Sequence, residues 1–154
     1  MRLALITILV TIVACTTPIE ETLLQCDDCP EVRVSRVIDG DTLETPSRRV
    51  RLFGVDTPEA GERCASEATS RINELARNSV RLEEGPRLTD QFGRRLAYVY
   101  TEEGYNIDEI LVREGLGTAW TEDGQHLDYL VELEQTTSRM GFGCLWLNQP
   151  GKTS

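Results

Sequence analysis

An α+β domain built around a small, twisted, barrel-like sheet is what this chain predicts, and three observations carry that expectation. Five short runs alternate apolar and polar residues as half-buried strands do. Three longer segments place apolar residues at helical spacing. The first three strand-like runs follow one another before any helix, so the chain opens as a meander and then mixes helices with strands. Its 154 residues, 40% hydrophobic and 27% charged, suffice for one domain with a core. The architecture that accommodates this order is a five-stranded barrel of the OB type with three helices.

Glu31 to Ile38 alternates, with Val32, Val34 and Val37 expected inward, and reads as the first strand. Asp39-Gly40 is a hairpin turn signal, Asp41 to Glu44 begins the return strand, and Thr45-Pro46-Ser47 turns again. Arg48 to Val55 is the third strand, with Val50 and Leu52 on one face and Arg51 on the other. Pro58 biases Thr57 to extended backbone and closes that strand. Cys64 to Asn78 carries Ala68, Ile72, Leu75 and Ala76 on one helical face. Val80 to Glu83 is a short strand, Gly85 to Gly93 a polar loop, and Arg95 to Tyr100 the last strand. Asn106 with Glu109 resembles a capping box ahead of Ile107, Ile110 and Leu111, and Gly115 stops that helix. His126 to Met140 is the third helix, with Leu127, Leu130 and Val131 expected inward. Trp146 in the closing loop is expected to pack on the body.

The termini read differently. Met1-Arg2 supplies a positive charge, and Leu3 to Ala14 is an apolar run broken by Thr7 and Thr11. It falls short of the roughly 20 residues of a membrane-spanning helix and fits the apolar region of an export signal. Ile12-Val13-Ala14-Cys15 resembles a bacterial lipobox, in which Cys15 carries lipid; a plain cleaved signal or an uncleaved anchor is the alternative. Residues 1–14 are thus expected as signal, 15–25 as a flexible tether, 26–148 as the domain and 149–154 as a tail. The protein is expected outside the cytoplasm, at the cell surface or in the periplasm, held to the membrane by its lipid and acting as a monomer. With Cys15 set aside, Cys26, Cys29, Cys64 and Cys144 make an even set for an oxidising compartment. Three pairings are possible; Cys26–Cys29 with Cys64–Cys144 is favoured, and a zinc site from the four is the rival.

The densest chemistry lies between Val37 and Glu59, where Asp39, Asp41, Asp56 and Glu59 alternate with Arg48, Arg49 and Arg51. If the strands are neighbours, Asp41 and Asp56 reach one end of the sheet, and the Thr57 carbonyl is a third oxygen for a hard cation such as Ca²⁺. Glu59 is close enough in sequence to orient or deprotonate a water. Arg51 and Arg94 can stabilise negative charge on a phosphoryl group. A plain hairpin turn, a helix-entry turn and surface ion pairs account for the same residues without any chemistry. The net charge of −10 argues against tight, non-specific nucleic-acid binding over the whole surface, though not against a local arginine site.

Four blocks in order tip this balance: Val37-Ile38-Asp39-Gly40-Asp41-Thr42; Val50-Arg51-Leu52-Phe53-Gly54-Val55-Asp56-Thr57-Pro58-Glu59; Thr89 to Tyr98; and Leu111 to Leu116. From about Val34 to Trp146 the chain resembles the staphylococcal nuclease (thermonuclease) family. The resemblance implies Asp41, Asp56 and the Thr57 carbonyl as Ca²⁺ ligands, with Asp39 an acid near the metal. It implies Glu59 acting on the attacking water, and Arg51 and Arg94 holding phosphate. It also implies cleavage of DNA, RNA or both, with water attacking phosphorus and the 5′ oxygen leaving. The loop after Glu59 is shorter than the family's and has no lysine, Phe92 stands where the family often has an aromatic hydroxyl, and Gln91 near a family lysine. The segment after Leu116 is also shorter; Trp120 is there either a base-stacking or a packing residue. His126 matches no catalytic position. A catalytically inert OB-like module that binds nucleic acid or a surface partner is the alternative function.

Overall fold

The computed structural model describes residues 23–147. The expected signal, Cys15, most of the tether and the 149–154 tail lie outside them. Among the described residues, eight strand segments and three helices follow in order: β1 (Glu31–Arg33), β2 (Arg36–Val37), β3 (Thr42–Glu44), β4 (Arg49–Leu52), β5 (Val55–Asp56), α1 (Ala65–Ala76), β6 (Ser79–Thr89), β7 (Arg95–Tyr100), α2 (Ile107–Arg113), β8 (Thr118–Ala119) and α3 (Leu127–Arg139). Six strands form one sheet in the order β1-β6-β7-β4-β3-β2, and β5 pairs with β8.

The expected first strand is two strands. β1 pairs antiparallel with β6, whereas β2 pairs antiparallel with β3. Only Val34 and Ser35 separate them, and their N–H groups donate to Asn78 and Glu44 carbonyls, one on each flank. The two outermost strands of the sheet are therefore halves of one bent segment, which curls the sheet into a barrel and leaves no long free edge. The expected third strand also breaks, at Phe53-Gly54. A side chain at Gly54 would meet Leu130 Cδ1 at 2.6 Å and Tyr98 Cε1 at 2.7 Å, so only glycine lets the bend pass that close to α3 and β7.

β6 is much longer than the expected Val80–Glu83. It runs on through Gly85 and Pro86 with a register shift between Glu84 and Thr89. The polar loop expected from Gly85 is half strand, hidden by the loss of clean alternation across the bulge. β8 escapes sequence patterning altogether, being two residues long and paired only with the equally short β5.

Alternation does hold in β4, where Val50 and Leu52 are buried while Arg49 and Arg51 lie on the opposite face, Arg49 exposed and Arg51 half-buried. Val50 and Leu52 join Leu43, Ile72, Leu82, Val99 and Leu111 in the main core. Phe53, Tyr98, Tyr100 and Leu130 form a second cluster beside it. Helix α1 buries Ala65, Ala68, Ile72 and Ala76. Helix α3 buries Leu130, Leu133 and Thr137, while Leu127 and Val131, expected inward, are half-buried at the rim. Trp146 packs against Gly115 as expected.

Asn106 caps α2, its side chain accepting the Glu109 N–H at 2.7 Å. The reciprocal half of the expected capping box is redirected. Glu109 accepts the Leu24 N–H at 2.6 Å and the Tyr129 hydroxyl at 2.6 Å, and Asn106 donates its N–H to the Leu24 carbonyl. Leu24 and Gln25, placed by sequence in the tether, are thus pinned to the domain: the buried carboxylate of Glu109 needs donors, and the segment just before Cys26 supplies one. Disulfides join Cys26 to Cys29 and Cys64 to Cys144, the favoured pairing, which leaves those cysteines no free thiol for zinc.

Candidate active site

Three stretches build the site. The turn between β2 and β3 presents Asp39 and Asp41, the end of β4 and β5 presents Arg51, Asp56 and Thr57, and the loop into β7 presents Asp90 and Arg94. β3 pairs with β4 so that Thr42 lies opposite Arg51, and β4 runs parallel to β7. That register brings residues 41, 51 and 94 together from separate parts of the chain. The turn is held close by Gly40, where an added Cβ would sit 2.5 Å from Thr57 Oγ1 and 2.7 Å from Ala68 Cβ.

Arg51 is the hub. Its Nη2 lies 2.5 Å from Asp56 Oδ1 and 3.3 Å from Asp41 Oδ2, and its Nη1 donates to the carbonyls of Leu52 and Val55 at 2.7 and 2.8 Å. Asp41 is buried and well supplied with donors. Thr57 gives it an N–H at 3.2 Å and a hydroxyl at 3.3 Å, and Thr42 a hydroxyl at 3.0 Å. Burial pushes the Asp41 carboxyl above its ordinary range, and the Arg51 charge and the Thr57 N–H oppose that push. Asp39 accepts the Asp41 N–H at 3.1 Å and so fixes the turn that carries Asp41.

Arg94 reaches the same cluster through Thr42, donating to its Oγ1 at 3.2 Å. Asp90 holds Arg94 in place, accepting from its Nε at 2.6 Å and from its backbone N–H at 2.9 Å. Burial would raise the Asp90 carboxyl, but these hydrogen bonds outweigh it and hold the group below the usual carboxylate range. Glu59 lines the same cavity of about 490 Å³ as Asp39, Asp41, Arg51, Asp56 and Arg94. The site residues expected from sequence therefore converge, and Thr57, expected to contribute its carbonyl, also anchors Asp41 through its N–H and hydroxyl.

Sequence reasoning passed over three residues, Thr42, Asp90 and Arg87. Thr42 and Asp90 link and orient the charged groups; the Asp90–Arg94 spacing of four across Gly93 was the available signal. Arg87 lines the cavity, bound through two nitrogens to Asp123 at 3.0 and 3.1 Å. Trp120, expected either to stack on a base or to pack, also lines it. Its indole lies about 6 Å from both the Arg51 and Arg87 guanidinium carbons and donates to Asp123 at 2.9 Å. His126 sits at the start of α3, as expected, with its ring 3.0 Å from Glu83 and outside the cavity lining.

Among the described residues, no three His, Cys, Asp or Glu side chains converge on a point a metal ion could take. The two carboxylates of Asp41 and Asp56 do share one positive centre, the Arg51 Nη2. An oxygen-only pair of this kind fits a hard cation that keeps water and substrate oxygens in its shell, and does not fit a thiolate- or imidazole-seeking metal.

Residues 49–147 match the model of the staphylococcal nuclease homologue family. The chain is 34% identical over 127 residues to a micrococcal nuclease of Shigella flexneri, covering 73% of this chain and 71% of that protein. It is 32% identical over 119 residues to an uncharacterized endonuclease of Escherichia coli O157:H7, covering 74% and 75%. A thermonuclease of Staphylococcus intermedius is 40% identical over 100 residues, covering 56% of this chain and 57% of its own. With the family model matching more than half of its length and a barrel that gathers the expected residues, the chain belongs to the staphylococcal nuclease family.

Proposed function

We propose that this protein is a Ca²⁺-dependent nuclease that hydrolyses phosphodiester bonds of DNA, RNA or both by attack of water at phosphorus. The observation that carries this reading is the convergence of Asp41 and Asp56 on one Arg51 nitrogen, in a cavity also lined by Glu59 and Arg94. Relatives named micrococcal nuclease and thermonuclease support it.

Asp41, Asp56 and the Thr57 carbonyl would hold the cation. When bound, Ca²⁺ supplies positive charge to a phosphoryl oxygen and to water. The remaining work belongs to side chains of this chain. Arg51 and Arg94 bind non-bridging phosphate oxygens and stabilise the charge that grows on them at the pentacovalent transition state. Thr42 and Asp90 keep Arg94 aimed at that position. Glu59 accepts a proton from the water as its oxygen bonds to phosphorus, and the 5′ oxygen leaves with the electron pair of the broken P–O bond.

We place this activity outside the cytoplasm, with residues 1–14 as signal and Cys15 as lipid anchor. The charged start, the apolar run and the two disulfides support export. The test is incubation of the protein with DNA and with RNA in Ca²⁺, in Mg²⁺ and in chelator. Cleavage in Ca²⁺ abolished by chelator is expected. Binding without cleavage under every condition favours the inert OB-like module instead.

A further inference from the structure

A second groove of about 520 Å³ adjoins the cavity and shares Glu59, Phe92 and Arg94 with it; Arg49 and Gly93 complete its lining. We propose that this groove is a subsite for the nucleotide next to the cleaved linkage, with Arg49 holding its phosphate and Phe92 stacking on its base. The proposal rests on the nuclease reading above and extends it from a single phosphate to a continuing polynucleotide strand.

Arg49 and Arg51 stand two residues apart on the outer face of β4. A strand rise of about 3.3 Å per residue separates their Cα atoms by about 6.6 Å, the order of spacing of successive phosphates in an extended strand. Arg49 is also available. Its side chain is 56% exposed, and its ion pair to Glu44 is long, at 3.8 Å, because Arg36 holds that carboxylate at 2.6 Å. An exposed guanidinium facing an open groove is a local anion site in a chain of net charge −10.

Phe92 is the second, independent observation. It is 75% exposed, lies outside both core clusters and has the Arg94 guanidinium 5.6 Å from its ring centre. Its N–H is fixed by Asp90 at 2.9 Å, so the exposed ring is carried on a tied loop. An exposed ring beside a phosphate-binding arginine suits base stacking, which tolerates any base.

The test is equilibrium binding of an oligodeoxynucleotide of ten thymidines, in Ca²⁺ over a salt series, to the full-length chain carrying Glu59→Gln. Adding Arg49→Ala is expected to flatten the slope of log affinity against log salt by about 0.7, one single-strand phosphate contact. Arg49→Lys is expected to restore the slope, and Phe92→Ala to weaken binding about tenfold with the slope unchanged. Binding whose slope and affinity survive Arg49→Ala and Phe92→Ala overturns the subsite alone. No binding of the oligonucleotide by any form overturns the nuclease reading together with the subsite.

Discussion

Arg51 lies 3.3 Å from Asp41, and the two side chains are only 11% and 10% exposed. The same Arg51 nitrogen touches the exposed Asp56, so the guanidinium competes with any cation for both carboxylates. Arg51→Ala is therefore expected to tighten Ca²⁺ binding in the absence of substrate, by roughly fivefold for an ion pair worth about 1 kcal/mol. Isothermal titration with Ca²⁺ reads it directly. Weaker binding by the variant would show that Arg51 helps to assemble the carboxylates instead.

Thr42 is the sole hydroxyl bridging Arg94 and Asp41 among the described contacts. Thr42→Val keeps the shape and removes both hydrogen bonds, each worth about 1 kcal/mol. The expected result is a drop in kcat/KM of about tenfold with the circular dichroism spectrum retained. An unchanged kcat/KM removes Thr42 from the machinery.

Burial raises Asp108 from its ordinary 3.8 to about 6, while the Val99 and Gly54 N–H groups that it accepts at 3.0 and 2.7 Å pull the other way. The folded protein then takes up a proton more readily than the unfolded chain. Stability from this group is complete below about 3.8 and is lost as pH rises through about 6. Urea melts of wild type and Asp108→Asn at several pH values should show the wild-type advantage growing as pH falls from 7 toward 4. A difference independent of pH contradicts this assignment.

The Cys64–Cys144 disulfide closes a separation of 80 residues, and Arg63 reinforces it by donating to the carbonyls of Cys144, Leu145 and Leu147. Replacing both cysteines with serine is expected to lower stability by about 4 kcal/mol. The same change at Cys26 and Cys29, three residues apart, should cost about 2 kcal/mol. Equal losses in thermal or urea melts would contradict the chain-entropy account.

The charged residues of the site were legible because their order along the chain is dense and distinctive: Asp39, Asp41, Arg51, Asp56 and Glu59 fall within one meander. The three helices were legible from their spacing. Three features were not. The split of the first strand into β1 and β2 is set by two partners, β6 and β3, distant from each other in sequence. Strand β8 owes its existence to β5 rather than to any local preference. The second half of β6 carries Gly85 and Pro86, which read as loop until β7 is placed beside it. Asp108 shows the same limit: a carboxylate on a helix reads as solvent-facing, yet it is fully buried because the bend at Gly54 leaves an N–H that needs an acceptor.

The most direct test of the central claim is cleavage of single-stranded DNA in Ca²⁺ by wild type, Arg51→Ala and Glu59→Ala, each checked for fold by circular dichroism. Ca²⁺-dependent cleavage by wild type is expected, with a fall in kcat of about 10²–10³ in Arg51→Ala, as for loss of one transition-state donor. A comparable fall of about 10²–10⁴ is expected in Glu59→Ala. Wild-type cleavage that survives both substitutions would place the chemistry elsewhere in the molecule and contradict the site described above.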